Sequence, residues 1–350
     1  MPHGWLILDK PVGLGSTQAV GAVKRNLREA GYGKVKVGHG GTLDPLASGV
    51  LPIALGEATK LAGRMLDSDK VYEFTVAFGA ETDTLDLEGK VVAQSDVRPT
   101  CAQVEAVMAR FTGAIAQLPP AYSALMIDGQ RAYDRARAGE TVVMSARAVM
   151  VHALAIANPS PRRGEDSAAW PQRGLAELGE GAPRFERRTP SPTAPSEQAR
   201  KAPYPLPAGE RPDAVTLRAH VSKGTYIRSL ARDIARALGT VGHVTHLRRT
   251  RAGPFGLDAA ITLDNLNAIG QGAALENVLL PLEAGLDDIP ALNLGPEQAR
   301  AVRQGRVLTG LAFQDGVCWA RYGDTPLALM QVDGGNATVL RGFNLPDVAE

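Results

Sequence analysis

A proline-rich segment near the middle of the chain constrains the fold more than any other feature. Residues 159–213 hold 11 of the 24 prolines, mix charges of both signs and show no helical or strand period. Such a composition buries too little apolar surface to offset the entropy lost on ordering. We therefore predict a flexible insertion at about 159–213, with the core built from the sequence on either side. The alternative is that this segment is an arm that contacts RNA, since it carries arginines at 162, 163, 187 and 188.

The flanking sequence predicts both strands and helices. The alternating run VYEFTVAFG and the apolar run VLPIALG are typical of strands, and HALAIA and VTLRAHV read as neighbouring strands on the two sides of the insertion. Ser16 or Thr17 is expected to cap a helix that runs to about Ala30. A stripe from Ile227 to Leu238 predicts another helix, which Gly239 ends. Because strands and helices do not alternate regularly, we predict an α+β fold with a mixed, largely antiparallel sheet and flanking helices.

Charge, apolar runs and cysteine content limit the partners and the compartment that the chain can have. The chain carries 38 Lys and Arg against 37 Asp and Glu, so a nucleic-acid partner would have to contact a local basic surface. No run approaches the length of a membrane span, and no signal-peptide core is present at the N-terminus. Cys101 and Cys318 lie far apart and match no metal spacing, which favours a reducing, cytoplasmic compartment.

Two segments carry residues suited to chemistry. The first, VGHGGTLDPLASGVLP, is a glycine-rich loop with Asp44 at its tip, where the aspartate could be catalytic or could simply cap a turn. The second is HVSKGTYIRSLARDIARALG. From Arg218 to Arg251 there are eight Lys or Arg and one acid. This surplus of positive charge favours a surface that contacts a polyanion over an ordinary solvated helix.

Motifs for metals and cofactors are missing from the sequence. The acidic stretch ETDTLDLEG lacks the ligand ladder of a calcium loop, so we interpret it as a solvated turn between two strands. The histidines show no ligand spacing, and no phosphate-binding glycine motif is complete. We therefore expect neither a metal nor a cofactor.

Five motifs in order resemble the bacterial tRNA pseudouridine synthase B family. They are KPVGLGS, GHGGTLDPLASGVLPIALGEATK, KVYEFTVAFGAETDTLDLEG, LPPAYSALMIDGQRAY and SKGTYIRSLARDI. The resemblance covers about residues 4–152 and 214–255. It implies a pseudouridine-synthase-like catalytic domain over 1–288, and a small β-rich RNA-binding module of the PUA type over 289–350. It also implies that the chain isomerises the T-loop uridine at tRNA position 55, and we expect a monomer.

The resemblance assigns roles to particular residues. Asp44 matches the catalytic aspartate, Tyr72 the active-site tyrosine that stacks on the target base, and Arg228 the arginine that pairs with the aspartate. Four further positions match residues that contact the substrate or line its pocket: His39, Lys223, Tyr226 and Leu247.

Two positions depart from the family pattern. Gly40-Gly41 replaces the usual Thr-Gly after the histidine, and Met126 replaces a lysine. The first changes the expected loop geometry, and the second removes one phosphate contact.

The implied reaction fits these residue types. It breaks the bond from C1′ to N1 and joins C1′ to C5 of the same base, without redox change or net hydrolysis. A carboxylate could attack C1′ or C6 of the ring, or assist departure of the base, and the sequence does not choose among these. Two alternatives compete with the isomerase: an RNA-binding or tRNA-folding factor, and a small-molecule α/β enzyme that uses the glycine loop.

Overall fold

The computed structural model describes residues 1–123, 125–127, 129–140, 142–157 and 212–345. The predicted insertion at 159–213 lies outside the described residues, except for its last two positions. The helices are α1 (Ser16–Glu29), α2 (Ala62–Asp67), α3 (Cys101–Met108), α4 (Ala132–Arg137), α5 (Ile227–Ala237), α6 (Leu263–Gly270) and α7 (Pro296–Arg303). The strands are β1 (Gly4–Lys10), β2 (Val37–His39), β3 (Ser48–Leu55), β4 (Lys70–Phe78), β5 (Ala80–Thr82), β6 (Val91–Gln94), β7 (Gly113–Gln117), β8 (Met126–Ile127), β9 (Gln130–Arg131), β10 (Arg147–Ile156), β11 (Ala214–Val221), β12 (Gly242–Ala252), β13 (Phe255–Gly256), β14 (Ala291–Asn293), β15 (Gly316–Tyr322), β16 (Thr325–Asp333) and β17 (Asn336–Gly342).

A nine-stranded sheet forms the centre of the molecule. Its order is β1-β3-β12-β4-β11-β10-β7, with β2 added to β3 and β13 to β12. The named pairs in this sheet are antiparallel except for β3 with β12, which run parallel. The predicted α+β class with a largely antiparallel sheet is therefore confirmed.

One face of the sheet is covered by α3 and α5. Phe74 and Val76 of β4, Leu217 of β11, and Leu230 and Ile234 of α5 belong to one buried cluster. The period of two in the strands and the period near four in the helix bring these apolar side chains to a common interface. Complete burial of each contributes about 1.5–3 kcal/mol, so this interface fixes α5 and the residues at its N-terminus against β4.

The other half of the sheet packs against α1 and α6. Leu6, Leu8 and Leu51 from β1 and β3 are fully buried in this second cluster. The helix α1 begins at Ser16 with Gly15 as its N-cap, so the predicted cap at Ser16 or Thr17 is wrong. The Ser16 side chain binds a distant loop instead, as described below.

The strands that flank the undescribed segment are neighbours, as predicted. Strands β10 and β11 pair antiparallel, with Ile156 opposite Leu217. The Ala157 amide continues the pairing by donating to the Thr216 carbonyl at 2.9 Å. The pairing of these two strands thus extends to Ala157 and Thr216 without the intervening sequence.

The C-terminal region is a small β-rich domain. Strands β14 to β17 form a four-stranded sheet with its own buried cluster, to which α7 contributes. Phe343, after β17, packs into the cluster that contains Trp5 and Ile7, which joins this domain to the central sheet. The β-rich character is confirmed, whereas the boundary at 288/289 and the PUA type stay predictions. No helix among the described residues is both long and apolar enough to cross a membrane.

Candidate active site

Asp44 lies on a loop between β2 and β3 that is fastened at several points. Ser16 Oγ donates to the Leu43 carbonyl at 2.9 Å and accepts from the Leu43 amide at 2.8 Å. On the other side of Asp44, the Pro45 carbonyl accepts from the Gly13 amide at 2.8 Å. Since both neighbours of Asp44 are bonded to residues at the start of α1, the backbone that carries the carboxylate is held in one place.

Two buried cations also bind the backbone of this loop. Lys10 is fully buried, and its Nζ donates to the carbonyls of Leu14 at 2.6 Å and Pro45 at 3.3 Å. Arg249, with 1% of its surface exposed, donates to the carbonyls of Gly41 and Thr42, both at 3.1 Å. Burial lowers the pKa of Lys10 to about 8, and the nearby Asp44 partly opposes this shift. These cations stabilise the loop through carbonyl oxygens and leave the Asp44 carboxylate free for another partner.

A glycine allows the close approach of β12 to β3, the strand that follows this loop. Gly49 has a φ of +105°, and a Cβ there would lie 2.1 Å from the Arg249 carbonyl oxygen. A larger residue at this position would therefore push β12 away from β3.

The partner of Asp44 is Arg228, in the first turn of α5. Arg228 Nη2 lies 2.9 Å from Asp44 Oδ2, and its Nη1 lies 3.2 Å from Asp86 Oδ2. Arg228 also donates to the carbonyls of Thr84 at 2.9 Å and Tyr122 at 3.1 Å. The arginine side chain is 8% exposed, whereas that of Asp44 is 41% exposed. One buried guanidinium thus joins a buried acid to an acid that faces the solvent.

Asp86 is itself held by the turn that contains it. Its Oδ1 accepts from the Thr84 hydroxyl and from the Glu88 amide, the latter at 3.0 Å. The preceding residue, Leu85, has a left-handed φ of 64°, and its carbonyl accepts from the Val244 amide of β12 at 3.0 Å. The interpretation of ETDTLDLEG as a turn between two strands is confirmed, since the segment joins β5 to β6. The turn is not solvated throughout, however, because Asp86 is buried and serves as an internal counter-ion for Arg228.

Asp44 lines a cleft with a volume of about 540 Å³. Six of the seven residues predicted for the site line it: Asp44, Tyr72, Lys223, Tyr226, Arg228 and Leu247. Tyr72 and Leu247 come from the neighbouring strands β4 and β12, and both are partly buried against the cluster beneath α5. The cleft therefore has an apolar floor beside a charged wall.

His39 does not line this cleft. It lies in β2, and its Nδ1 is 3.4 Å from the Gly41 amide, a long hydrogen bond within the loop. Burial, and next the charge of Arg249, lower its pKa. At neutral pH the neutral imidazole is thus favoured next to the loop that carries Asp44.

Lys223 and Tyr226 occupy different parts of the cleft. Lys223 lies at the rim, where its Nζ is 3.0 Å from Asp67 Oδ1 and both side chains are mostly exposed. The Tyr226 backbone is bonded twice to the Gln117 side chain, at 2.8 and 3.2 Å. Burial raises the pKa of the Tyr226 phenol, so this side chain stays protonated as a potential donor.

Sequence reasoning missed a second aromatic wall. Tyr122 and Tyr133 line the cleft, with their rings 6.0 Å apart in an edge-to-face arrangement. The guanidinium of Arg137 lies 4.4 Å from the centre of the Tyr133 ring. The sequence AYSALMIDGQRAYDRAR gave a signal for this wall, namely tyrosines and arginines close together in a segment that otherwise lacks a clear period.

The prediction of an exposed basic surface between Arg218 and Arg251 is wrong for three of its members. Arg228, Arg232 and Arg249 are each less than 9% exposed. Arg232 donates to the Leu118 carbonyl at 3.1 Å and to Asp233 Oδ1 at 2.8 Å. The charge surplus in the sequence arises because buried arginines bind carbonyl oxygens and acids from other segments.

Comparisons with known proteins identify the fold. Residues 27–166 match the N-terminal domain of TruB family pseudouridylate synthases, and residues 228–287 match the C-terminal domain of tRNA pseudouridylate synthase B. A chain from an H/ACA RNP bound to a substrate RNA containing 2′-deoxyuridine has a TM-score of 0.64 at 22% identity, covering 99% of this chain and 86% of that one. A chain from the archaeal box H/ACA sRNP Nop10-Cbf5 complex gives 0.63 at 22% identity, covering 99% and 87%. The fold is therefore pseudouridine-synthase-like.

Full-length relatives make the assignment more specific. The chain is 62% identical to tRNA pseudouridine synthase B of Novosphingobium aromaticivorans over 350 residues, covering 100% of both chains. It is 52% identical to tRNA pseudouridine synthase B of Zymomonas mobilis, covering 98% of this chain and 96% of the relative. The chain belongs to the TruB family of pseudouridylate synthases.

Proposed function

We propose that this enzyme isomerises uridine to pseudouridine in tRNA, at position 55 of the T loop. The observation that carries the proposal is the ion pair of Asp44 and Arg228, which faces a cleft with Tyr72 in its wall. The relatives named above bear the name tRNA pseudouridine synthase B along their whole length, and the fold neighbours include a complex with a substrate RNA.

Asp44 is the proposed catalytic carboxylate. The isomerisation breaks the bond from C1′ to N1, rotates the base and forms a bond from C1′ to C5. The proton on C5 is then lost, and N1 gains a proton. The Asp44 carboxylate can act as the nucleophile at C1′ or at C6, or stabilise the sugar cation as the base departs. Its exposure of 41% is enough for a substrate atom to reach it directly.

Arg228 is proposed to orient Asp44 and to keep it ionised. An opposite charge at hydrogen-bonding distance favours the charged form of a carboxylate. Because Asp86 and two carbonyls occupy the other Nη donors of the guanidinium, Arg228 cannot turn away from Asp44 without leaving buried acceptors unpaired. The arginine therefore supplies a fixed support for the aspartate.

The uridine must leave its stack to reach Asp44. Flipping a base costs a few kcal/mol, and stacking on an aromatic ring returns about 1–3 kcal/mol. Tyr72 is the proposed stacking partner, and Leu247 lines the same pocket. Tyr133, with Arg137 over its ring, is placed to contact a neighbouring nucleotide on the opposite wall.

The remaining parts of the chain are assigned by the same proposal. Residues 1–288 form the catalytic domain, and 289–350 form a PUA-like module that binds RNA next to it. Lys223 contacts the T-stem loop at the rim of the cleft, and His39 contacts it from β2, outside the cleft. The enzyme acts as a monomer in the cytoplasm, where its tRNA substrate is found.

The test is to incubate the enzyme with unmodified tRNA and map pseudouridine by chemical derivatisation. We expect a single modified site at T-loop position 55. A tRNA with cytidine at this position serves as the control and should give no product. Pseudouridine elsewhere would refute the assigned position, and no pseudouridine at all would refute the activity.

A further inference from the structure

Three side chains with metal-binding groups meet outside the cleft. Asp69 directly precedes β4, His152 lies in β10, and His220 lies in β11. Asp69 Oδ2 is 3.1 Å from His152 Nε2 and 3.6 Å from His220 Nε2. One ligand atom from each of the three residues lies within 4.8 Å of the other two. The spacing of these residues in the sequence does not indicate a cluster, because the two histidines lie on either side of the undescribed segment.

The separations suit a tetrahedral ion. Zinc binds imidazole nitrogen and carboxylate oxygen at about 2.0–2.1 Å, so that two ligands at a tetrahedral angle lie about 3.3 Å apart. The two distances from Asp69 to the histidines fall on either side of this value. The imidazole rings are 4.7 Å apart between centroids and tilted by 41°.

A β-bulge brings His152 to this position. Val151 pairs with Val221 and Ala153 with His220, so that His152 is the extra residue in β10. Bulges bend a strand and re-aim a side chain, and they are frequent next to functional sites. Regular pairing would instead place His152 itself opposite a residue of β11.

The cluster lies on the sheet face opposite the core beneath α5. Ala219 and Val221 belong to that core, and Val221 also lines the cleft. Because side chains alternate along a strand, His220 points to the other face. The side chains of Asp69, His152 and His220 are 45%, 36% and 30% exposed, so that an ion can enter from solvent and retain a water molecule.

We propose that Asp69, His152 and His220 form a binding site for a divalent transition metal of the zinc class. Two imidazoles and one carboxylate favour Zn²⁺, Co²⁺ or Ni²⁺ over Mg²⁺ and Ca²⁺, which prefer oxygen ligands. Water fills the fourth position. The bound ion would connect three adjacent segments of the sheet and would therefore stabilise the folded chain.

Two arginines, Arg251 and Arg218, lie near enough to His220 to oppose a bound cation, and Arg218 shares its strand. It lies two residues before His220 on the same face of β11 and is exposed. Its positive charge would oppose a bound cation, although solvent and salt screen the effect. We therefore expect tighter binding by Arg218→Gln than by the wild type at low salt.

The test uses the full chain without a polyhistidine tag, freed of metal with a chelator. Titration with Co²⁺ should give a visible d–d band that saturates at one equivalent, and Zn²⁺ should displace the Co²⁺. Asp69→Asn, His152→Ala and His220→Ala should each weaken binding by more than about tenfold. Mg²⁺ at the same concentration should not compete. Circular dichroism of each variant verifies that it is folded, and Asp69→Asn is nearly isosteric in case an alanine variant unfolds.

Three control variants separate this site from others. His246→Ala removes an exposed histidine of β12, Cys101→Ser removes a partly exposed thiol, and Asp44→Asn alters the cleft. All three should bind Co²⁺ as the wild type does. Absence of Co²⁺ and Zn²⁺ binding by the wild type would overturn the proposal. So would equal binding by the three ligand variants, or loss of the band in Cys101→Ser.

Discussion

Asp86→Asn tests whether the buried counter-ion of Arg228 supports catalysis. Asp86 accepts from Arg228 Nη1 at its Oδ2, and from the Thr84 hydroxyl and the Glu88 amide at its Oδ1. An asparagine has the same shape but must place an NH₂ group at one of the two positions. At the first position the amide faces the guanidinium, and at the second it faces the Glu88 N–H. Either orientation brings two donors together in a buried site.

The expected losses of stability and of kcat in Asp86→Asn follow from these contacts. A buried donor that loses its acceptor costs about 1–3 kcal/mol, so the midpoint of thermal unfolding should fall by a few degrees. A hydrogen bond to a charged group contributes about 1.5–3 kcal/mol. If Arg228 loses this support in the transition state, kcat should fall by about 10- to 100-fold, since each 1.36 kcal/mol is a factor of ten. KM should change little, because Asp86 supports Arg228 and does not bind the tRNA itself.

The assay is multiple-turnover pseudouridine formation on unmodified tRNA, with thermal unfolding measured in parallel. Asp83→Asn is the matched control, since Asp83 lies in the same turn but is exposed and accepts only from the Lys90 amide among its described hydrogen bonds. It should retain wild-type kcat. A wild-type kcat in Asp86→Asn would refute the reasoning, and a lower melting temperature alone would make Asp86 purely structural.

Three further predictions concern other parts of the molecule. Tyr72→Phe should keep most of the affinity for tRNA and Tyr72→Ala should lose it, as measured by filter binding; equal binding by both variants would exclude stacking. Since burial lowers the pKa of Lys10 to about 8 from its ordinary 10.5, the folded state binds fewer protons than the unfolded state between these values. Raising the pH over this range should therefore stabilise the wild type relative to Lys10→Met in denaturant titrations, whereas a constant difference would contradict the lowered pKa. Replacing residues 161–210 by a short Gly/Ser turn should leave a folded, active enzyme, because β10 and β11 pair directly; a large loss of tRNA affinity together with a shallower salt dependence would instead assign substrate binding to this segment.

Patterns local to one segment predicted much of the fold. The alternation of β4 and the stripe of α5 with Gly239 after it follow from periods that neighbouring residues share. The pairing of β10 with β11 follows from two strand-like runs on the two sides of the proline-rich segment. The loop that carries Asp44 also had a local signal, because glycines and a single acid are concentrated before a strand whose residues are all buried.

Long-range polar contacts could not be predicted in this way. Ser16 has the local signature of an N-cap, but its hydroxyl binds Leu43 across the fold. Asp86 resembles a solvated turn residue until the arginine of α5 is placed beside it. Lys10 and Arg249 look like ordinary surface cations, and their burial depends on carbonyl oxygens that only the folded loop brings together.

The most direct test of the central claim is a single-turnover measurement with Asp44→Asn. The account predicts that the variant binds unmodified tRNA with nearly wild-type affinity and forms no detectable pseudouridine, because the amide is isosteric but is not a nucleophilic carboxylate. Substantial pseudouridine formation by this variant, with enzyme in excess over tRNA, would contradict the assignment and place the chemistry on another residue.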